Sequence, residues 1–375
     1  MDPKTGFPLS WPPKLAHVMK KAREAKKPFA SIMEIRAAND ALPIEKSLAG
    51  IEIREVQVPR ISAPGLEATP TGSVAAEFVA ETGSAFDTSL PHILYVHGGG
   101  YTLFSKESHR PITMRLAKHG IRVLSVSYRL APEHPYPAAI VDAYACFKFL
   151  IASGVPASRI VVSGDSAGGG LTYALALYLR DLGEDMPGGL APLTPWIDLS
   201  GTTPAGNINV FPEEADTLNS NKLGGLRDNA HAYSQGHWSN AYISPLLDAP
   251  NASSRPLPPQ FITTGTCDRL QLEDLLMALK RRKAGEIVRL YDFKDMFHAF
   301  QAFPFLEASK TAIAEEAQFT KDVASGKNIV SGYFFVEGDG KTIKEESEGV
   351  VRERARDIVR RGSVTYEQPI AAYKL

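Results

Sequence analysis

Between Ile51 and Phe293, short apolar, β-rich runs alternate with helical patterns. An alternation of that kind folds as a mostly parallel sheet with helices on both faces. The spacing predicts eight strands, over residues 51–58, 74–79, 92–96, 123–128, 160–163, 189–193, 260–264 and 287–293. Helices are predicted over 109–119, 137–153, 167–182 and 272–284, the first and last closed by Gly120 and Gly285. In the last helix Leu272, Leu275, Leu276 and Leu279 fall on one face, the spacing of a helix lying against a sheet. The first two strands have no helix between them and read as an antiparallel hairpin.

Three segments stand outside this alternation. Residues 1–48 carry an amphipathic helix, with Leu15, Val18, Met19 and Ala22 on one side and lysines and arginines around the rest. Residues 196–250 are rich in Gly, Asn and Pro, and an insertion of that length is usually a lid or binding loop. Residues 309–375 form a C-terminal extension ending in a charged, weakly amphipathic stretch around 350–361. The core is therefore expected in two parts, 49–195 and 251–308.

The motifs at the strand ends carry the chemistry. Gly164-Asp165-Ser166-Ala167-Gly168 follows one predicted strand and opens the next helix. In such an elbow the serine is held at a strained backbone angle at the C-terminal edge of the sheet. A helix N-terminus beside it favours developing negative charge. His97-Gly98-Gly99-Gly100-Tyr101 follows another strand, and consecutive glycines let backbone amides face inward; Gly98, Gly99 and Ala167 are the expected oxyanion donors. A serine needs a general base held by a carboxylate. Of nine histidines only His298 lies beyond the last predicted strand, and Asp268 follows the seventh. The chain order Ser166, Asp268, His298 is that of the α/β hydrolases. Asp292 and Asp295 are nearer His298 in sequence, but a carboxylate so close on the same segment would have difficulty reaching the imidazole. Gly340-Lys341-Thr342 is not a phosphate loop, because Phe335 stands where the first glycine would have to be.

Three stretches taken together, His97 to Tyr101, Ser127-Tyr128-Arg129-Leu130-Ala131-Pro132-Glu133-His134-Pro135-Tyr136-Pro137-Ala138-Ala139 and Gly164 to Gly169, closely resemble the hormone-sensitive lipase-like esterases. The likeness spans roughly residues 50–308. It implies an α/β-hydrolase fold with a helical cap built from the N-terminal segment and the insertion, acting as a carboxylic ester hydrolase without metal or cofactor. Two departures stand out. The family usually has Asn where this chain has Gly170, and its acid motif commonly reads Asp-Pro-Leu where this chain has Asp268-Arg269-Leu270.

The expected substrate is a small or medium ester, enclosed by a cap in which Tyr101, Trp196, Phe211 and Trp238 are candidate contacts. An acyltransferase or cyclase using the same nucleophile, and a hydrolase-like receptor without turnover, are the rival readings. Lys plus Arg (41) nearly balances Asp plus Glu (42), so a nucleic-acid partner has no electrostatic basis. Two cysteines without a C-x-x-C pairing argue against a disulfide framework or zinc site. With no run of about 18 apolar residues and no apolar leader near the start, a cytoplasmic protein without membrane insertion is expected; a homo-oligomer is left open.

Overall fold

The computed structural model describes residues 7–24, 30–68, 71–201, 216–218, 225–250 and 254–361. Ten strands form one sheet in the order β1-β2-β4-β3-β5-β6-β7-β8-β9-β10. The hairpin β1 (Ile51–Pro59) and β2 (Ser73–Glu81) is antiparallel, with Ile51 opposite Glu81, and β2 runs antiparallel to β4 (Arg122–Ser127). From β4 onward β3 (His92–Val96), β5 (Ile160–Asp165), β6 (Gly189–Leu193), β7 (Gln260–Gly265) and β8 (Val288–Phe293) are all parallel. Loops after β3, β5, β7 and β8 therefore open at one edge, where ligands of such sheets bind.

Alternate residues of each strand feed two cores. Leu94, Val96, Val162, Leu190 and Ile262 face α4 (Ala138–Ala152), α5 (Ala167–Leu182) and α7 (Gln271–Lys283). Ile93, Tyr95, Val161, Leu193 and Phe261 face α3 (Arg110–Ala117) and α8 (Glu307–Ala324). Burial on both faces explains why the central strands read as continuous apolar runs rather than alternating ones.

The eight expected strands are the first eight, but the sheet does not stop there. The boundary at residue 309 is corrected: it falls inside α8, whose Ala312, Ile313 and Phe319 belong to the second core. Beyond it, β9 (Gly332–Val336) runs parallel to β8, and β10 (Ile343–Glu346) is antiparallel to β9. Gly340-Lys341-Thr342 lies in the turn between them, with Asp339 Oδ1 accepting the amides of Lys341 and Thr342 at 2.9 Å. The stretch around 350–361 becomes α9 (Glu348–Arg361), which buries Val351, Ala355 and Ile358 in the first core.

The N-terminal segment holds α1 (Pro13–Glu24) and α2 (Ile32–Asp40), and the insertion holds α6 (Leu226–Ser234). In α1, Leu15 and Met19 are buried with Trp11 in the second core, beside Phe297 and Phe300. Phe211 and Asn251 lie outside the described residues. Among the described residues no helix is long and apolar enough to cross a membrane.

Candidate active site

Ser166 sits between β5 and α5 at φ 54°, ψ −122°, a left-handed backbone that a non-glycine residue adopts only under tertiary constraint. Its amide donates to Leu193 O at 2.9 Å, and its own carbonyl accepts from Trp196 N at 2.8 Å. The flanking glycines are steric requirements. A Cβ at Gly164 would stand 2.2 Å from Val96 O, and one at Gly168 would stand 2.0 Å from the same oxygen. The crossing of β3 and the elbow is thus too close for any side chain.

His298 follows β8 on a loop framed by Asp295 and Ala299, with φ of 61° and 56°. Its Nδ1 faces Asp268 Oδ2 at 3.1 Å, and Asp268 Oδ1 accepts the amide of Leu270 at 2.8 Å. Asp268 is fully buried and His298 nearly so. His298 Nε2 has no hydrogen-bond partner among the described residues. Burial alone would lower the imidazole pKa, but the carboxylates of Asp268, Asp216 and Asp165 together outweigh it and raise it above the ordinary value. Asp292 and Asp295 are engaged elsewhere. Asp292 accepts from Gln271 Nε2 and from Arg354 Nη1 at 2.9 Å, and Asp295 Oδ2 accepts from Ser10 Oγ at 2.6 Å.

The glycine loop requires a correction. The Gly98 amide donates to Asp165 Oδ1 at 3.1 Å, so it is not free to serve as an oxyanion donor. The same carboxylate accepts from Tyr95 Oη at 2.7 Å and lies 3.3 Å from His109 Nε2. Burial pushes Asp165 up, yet the His109 charge and these hydrogen bonds win and hold it below the usual carboxylate range. Gly99 (φ 108°) and Gly100 (φ 62°) turn the chain after that anchor. Neither amide has a backbone acceptor among the described residues, and Ala167 opens α5, where the first amides have no intrahelical acceptor. His97 is neutral, its pKa lowered to about 3 by burial, and its ring stacks on Tyr128 with centroids 4.3 Å apart.

Elements outside the strand–helix alternation reach this loop. Arg36 of α2 donates to Thr102 O at 2.8 Å and Ala131 O at 2.7 Å, and pairs with Glu133. Asn229 of α6 accepts from Thr102 Oγ1 at 2.9 Å, so close to the loop that a Cβ at Gly100 would stand 2.3 Å from its Nδ2. Tyr101 is buried and stacks on Tyr233 of α6 at 3.8 Å; Trp196 is buried with its ring 6.4 Å from Tyr101. Trp238 is half-buried and pairs with His231, an exposed residue of α6. Asp165, His109, Asn229, Arg36 and Asp216 were not singled out from the sequence. Of these only Asp165 sat inside a recognisable motif. Glu55, Glu77 and Glu107 come close enough to share a cation, but the Lys106 ammonium pairs with all three.

A family profile described as alpha/beta hydrolase fold matches residues 93–302. An acetyl-hydrolase of Streptomyces hygroscopicus is 32% identical over 244 residues, 63% of this chain and 77% of that protein. Carboxylesterase NlhH of Mycobacterium tuberculosis is 34% identical over 227 residues, 57% of this chain and 68% of its own length. Among solved structures, esterase EstE5 soaked with p-nitrophenyl butyrate superposes with a TM-score of 0.69 at 30% identity, covering 84% of this chain and all of its own. An esterase from the bacterial hormone-sensitive lipase family gives 0.70 at 30% identity, covering 84% and 99%. With ester hydrolases on every side of these comparisons and the serine elbow at the sheet edge, the chain belongs to the α/β-hydrolase family, in its hormone-sensitive lipase-like branch, and is a serine carboxylesterase.

Proposed function

We propose that the protein hydrolyses small or medium carboxylic esters through a covalent acyl-enzyme on Ser166. His298 Nε2 takes the Ser166 proton as Oγ attacks the ester carbonyl, and the carbonyl oxygen becomes an oxyanion. The amides of Gly99, Gly100 and Ala167 receive that charge, with the α5 N-terminus behind them. Collapse expels the alcohol, which takes the proton from His298. A water molecule, deprotonated by the same imidazole, then attacks the acyl carbon; the bond to Ser166 Oγ breaks, Ser166 takes the proton from His298, and the acid leaves. Asp268 keeps the proton on Nδ1, so that Nε2 is the basic nitrogen throughout. No step calls for a cofactor.

The observation that carries this reading is the buried Asp268–His298 contact at 3.1 Å with Nε2 left unpartnered. Tyr101 and Trp196, packed beside the elbow, are the proposed walls of the acyl or alcohol pocket. The N-terminal segment and the 196–250 insertion are the proposed cap that limits substrate size. The name of one relative, an acetyl-hydrolase, agrees with a short acyl group. The test is hydrolysis of p-nitrophenyl esters of graded chain length by the parent and by Ser166→Ala, with a fluorophosphonate probe mapped by peptide. Activity that survives in the Ala variant, or labelling at another serine, would remove the mechanism.

A further inference from the structure

The insertion between β6 and β7 contributes a carboxylate that the mechanism above does not use. Asp216 is buried, and both of its oxygens are engaged by backbone amides of the two loops that carry the base and the acid. Oδ1 accepts the amide of His298 itself at 2.9 Å, and Oδ2 accepts the amide of Arg269, the residue after Asp268, at 3.0 Å. The next residue completes the grip: Thr217 Oγ1 donates to His298 O at 3.1 Å. Both backbone polar groups of His298 are therefore held by two consecutive residues of the insertion.

These loops leave different strands, β8 and β7; close to the strand ends they are tied by the Cys267 amide on Met296 O at 2.9 Å and the Asp295 amide on Thr266 Oγ1 at 2.7 Å, and Asp216 adds a tie further out, at His298 itself and at the residue after Asp268. The Nδ1–Oδ2 contact depends on the distance between the loops there. A single side chain hydrogen-bonded to both loops fixes it directly, and two amide donors on one carboxylate are charge-assisted bonds, stronger than neutral ones.

We infer that Asp216 is a positioning residue for ester hydrolysis: it braces the His298 loop against the Asp268 loop and adds negative charge beside the imidazole. The inference rests on the triad reading given above. During turnover His298 becomes cationic, and the charged groups facing it are Asp268, Asp216 and Asp165. Asp216 in turn faces Asp268 and His298; burial first, then the Asp268 charge, hold its own pKa above the ordinary carboxylate value against the pull of His298 and the two amides. A charged Asp216 therefore favours the imidazolium as well as the geometry. No bond to substrate is involved, so its removal bears on kcat rather than KM.

The test compares Asp216→Asn and Asp216→Ala with the parent on the best p-nitrophenyl ester between pH 5 and 9, with the folded fraction measured by circular dichroism. The expected result is a fall in kcat of about 10- to 100-fold, with KM within about threefold. The acid limb of kcat/KM should move to lower pH by about half a unit or more in both variants, because each removes the negative charge. Asn, which keeps one acceptor oxygen, should retain more activity than Ala. If Ala does not fold, the nearly isosteric Asn variant decides alone. A kcat within twofold of the parent with an unmoved limb would overturn the brace. So would a loss that merely tracks the folded fraction while the limb stays in place. Parental hydrolysis that survives Ser166→Ala overturns the triad reading and the brace with it, whereas Ser166-dependent hydrolysis untouched at Asp216 overturns the brace alone.

Discussion

Gly170, where the resembling esterases usually carry Asn, has no room for any side chain in this protein. A Cβ there would stand 2.3 Å from the carbonyl oxygen of Trp196 and 2.8 Å from Tyr101 Oη. Ordinary contact is about 3.5 Å, so one partner must move by roughly 1 Å. Tyr101 is held by its stack on Tyr233, with the rings 4° from parallel, and the Trp196 amide is bonded to Ser166 O at 2.8 Å. Movement of Trp196 therefore pulls on the backbone of Ser166, the proposed nucleophile, and movement of Tyr101 disturbs the stack against α6. Gly170→Ala should cost about 1–3 kcal/mol of stability, the usual range for overpacking a filled core. A misplacement of about 1 Å at a reacting group costs on the order of 10²-fold in rate. The assay pairs kcat on a p-nitrophenyl ester with thermal unfolding. Gly170→Asn, with three more heavy atoms to house, should be worse than Ala on both. A Gly170→Ala enzyme with parental melting and kcat within twofold would refute the argument that the glycine is a steric necessity. Asn better tolerated than Ala would refute it equally.

Two further outcomes separate neighbouring carboxylates. Asp268→Asn should lose on the order of 10⁴ in kcat through the wrong imidazole tautomer. Asp292→Asn and Asp295→Asn should stay within about tenfold, since their carboxylates face Gln271, Arg354 and Ser10. Kinetics of the three variants that rank them in the reverse order would reassign the acid. Glu316, behind the sheet, accepts from Ser163 Oγ at 2.6 Å, and burial raises its pKa to about 8. The native state therefore holds a proton that the unfolded chain releases from about pH 4.5 upward, so stability falls as pH rises through that window. Glu316→Gln should melt with the parent near pH 4 and above it at pH 9, where it should be more stable by up to about 5 kcal/mol. Equal melting at pH 9 would show that the carboxyl ionises there without penalty.

What the sequence makes legible follows from how local its cause is. The strands from Ile51 to Phe293 and the helices α3, α4, α5 and α7 are set by apolar spacing and by glycines at their ends, so each lies within a few residues of its expected place. The serine elbow is legible because steric need at Gly164 and Gly168 writes itself into adjacent positions. The glycine loop after β3 is only half legible. Three glycines announce inward-facing amides, but which amide is already taken depends on Asp165, 67 residues away. Asp216 leaves no pattern, because its partners are backbone amides that any residue supplies. β9 carries an apolar run, Tyr333-Phe334-Phe335-Val336, that reads as a strand, whereas β10 escapes for a different reason. Ile343-Lys344-Glu345-Glu346 is an edge strand largely exposed to solvent, and charged edges carry no apolar signature.

The residues missed from the sequence share a task. The C-terminal edge of a parallel sheet ends in loops whose amides and carbonyls have no ladder partner, and such groups must be satisfied by something when buried. Apart from Asp165 of β5, which takes the amide of Gly98, the partners come from outside the alternation. Arg36 takes the carbonyls of Thr102 and Ala131, Trp11 Nε1 donates to Asp295 O at 2.6 Å, and Asp216 takes the amides of His298 and Arg269. The C-terminal helix acts one step further back. Arg354 pairs with Asp292, whose pKa burial raises to about 6, and Asp292 accepts from Gln271, whose amide is in turn bonded to Asp268 O at 3.1 Å. Without the Arg354 charge, Asp292 would be an unpaired buried carboxylate and would favour its neutral form still more, weakening the acceptor that holds Gln271. The segments flanking the core thus do more than cover it: each of the glycine, Asp268 and His298 loops is fixed by at least one side chain that the strand–helix repeat does not supply.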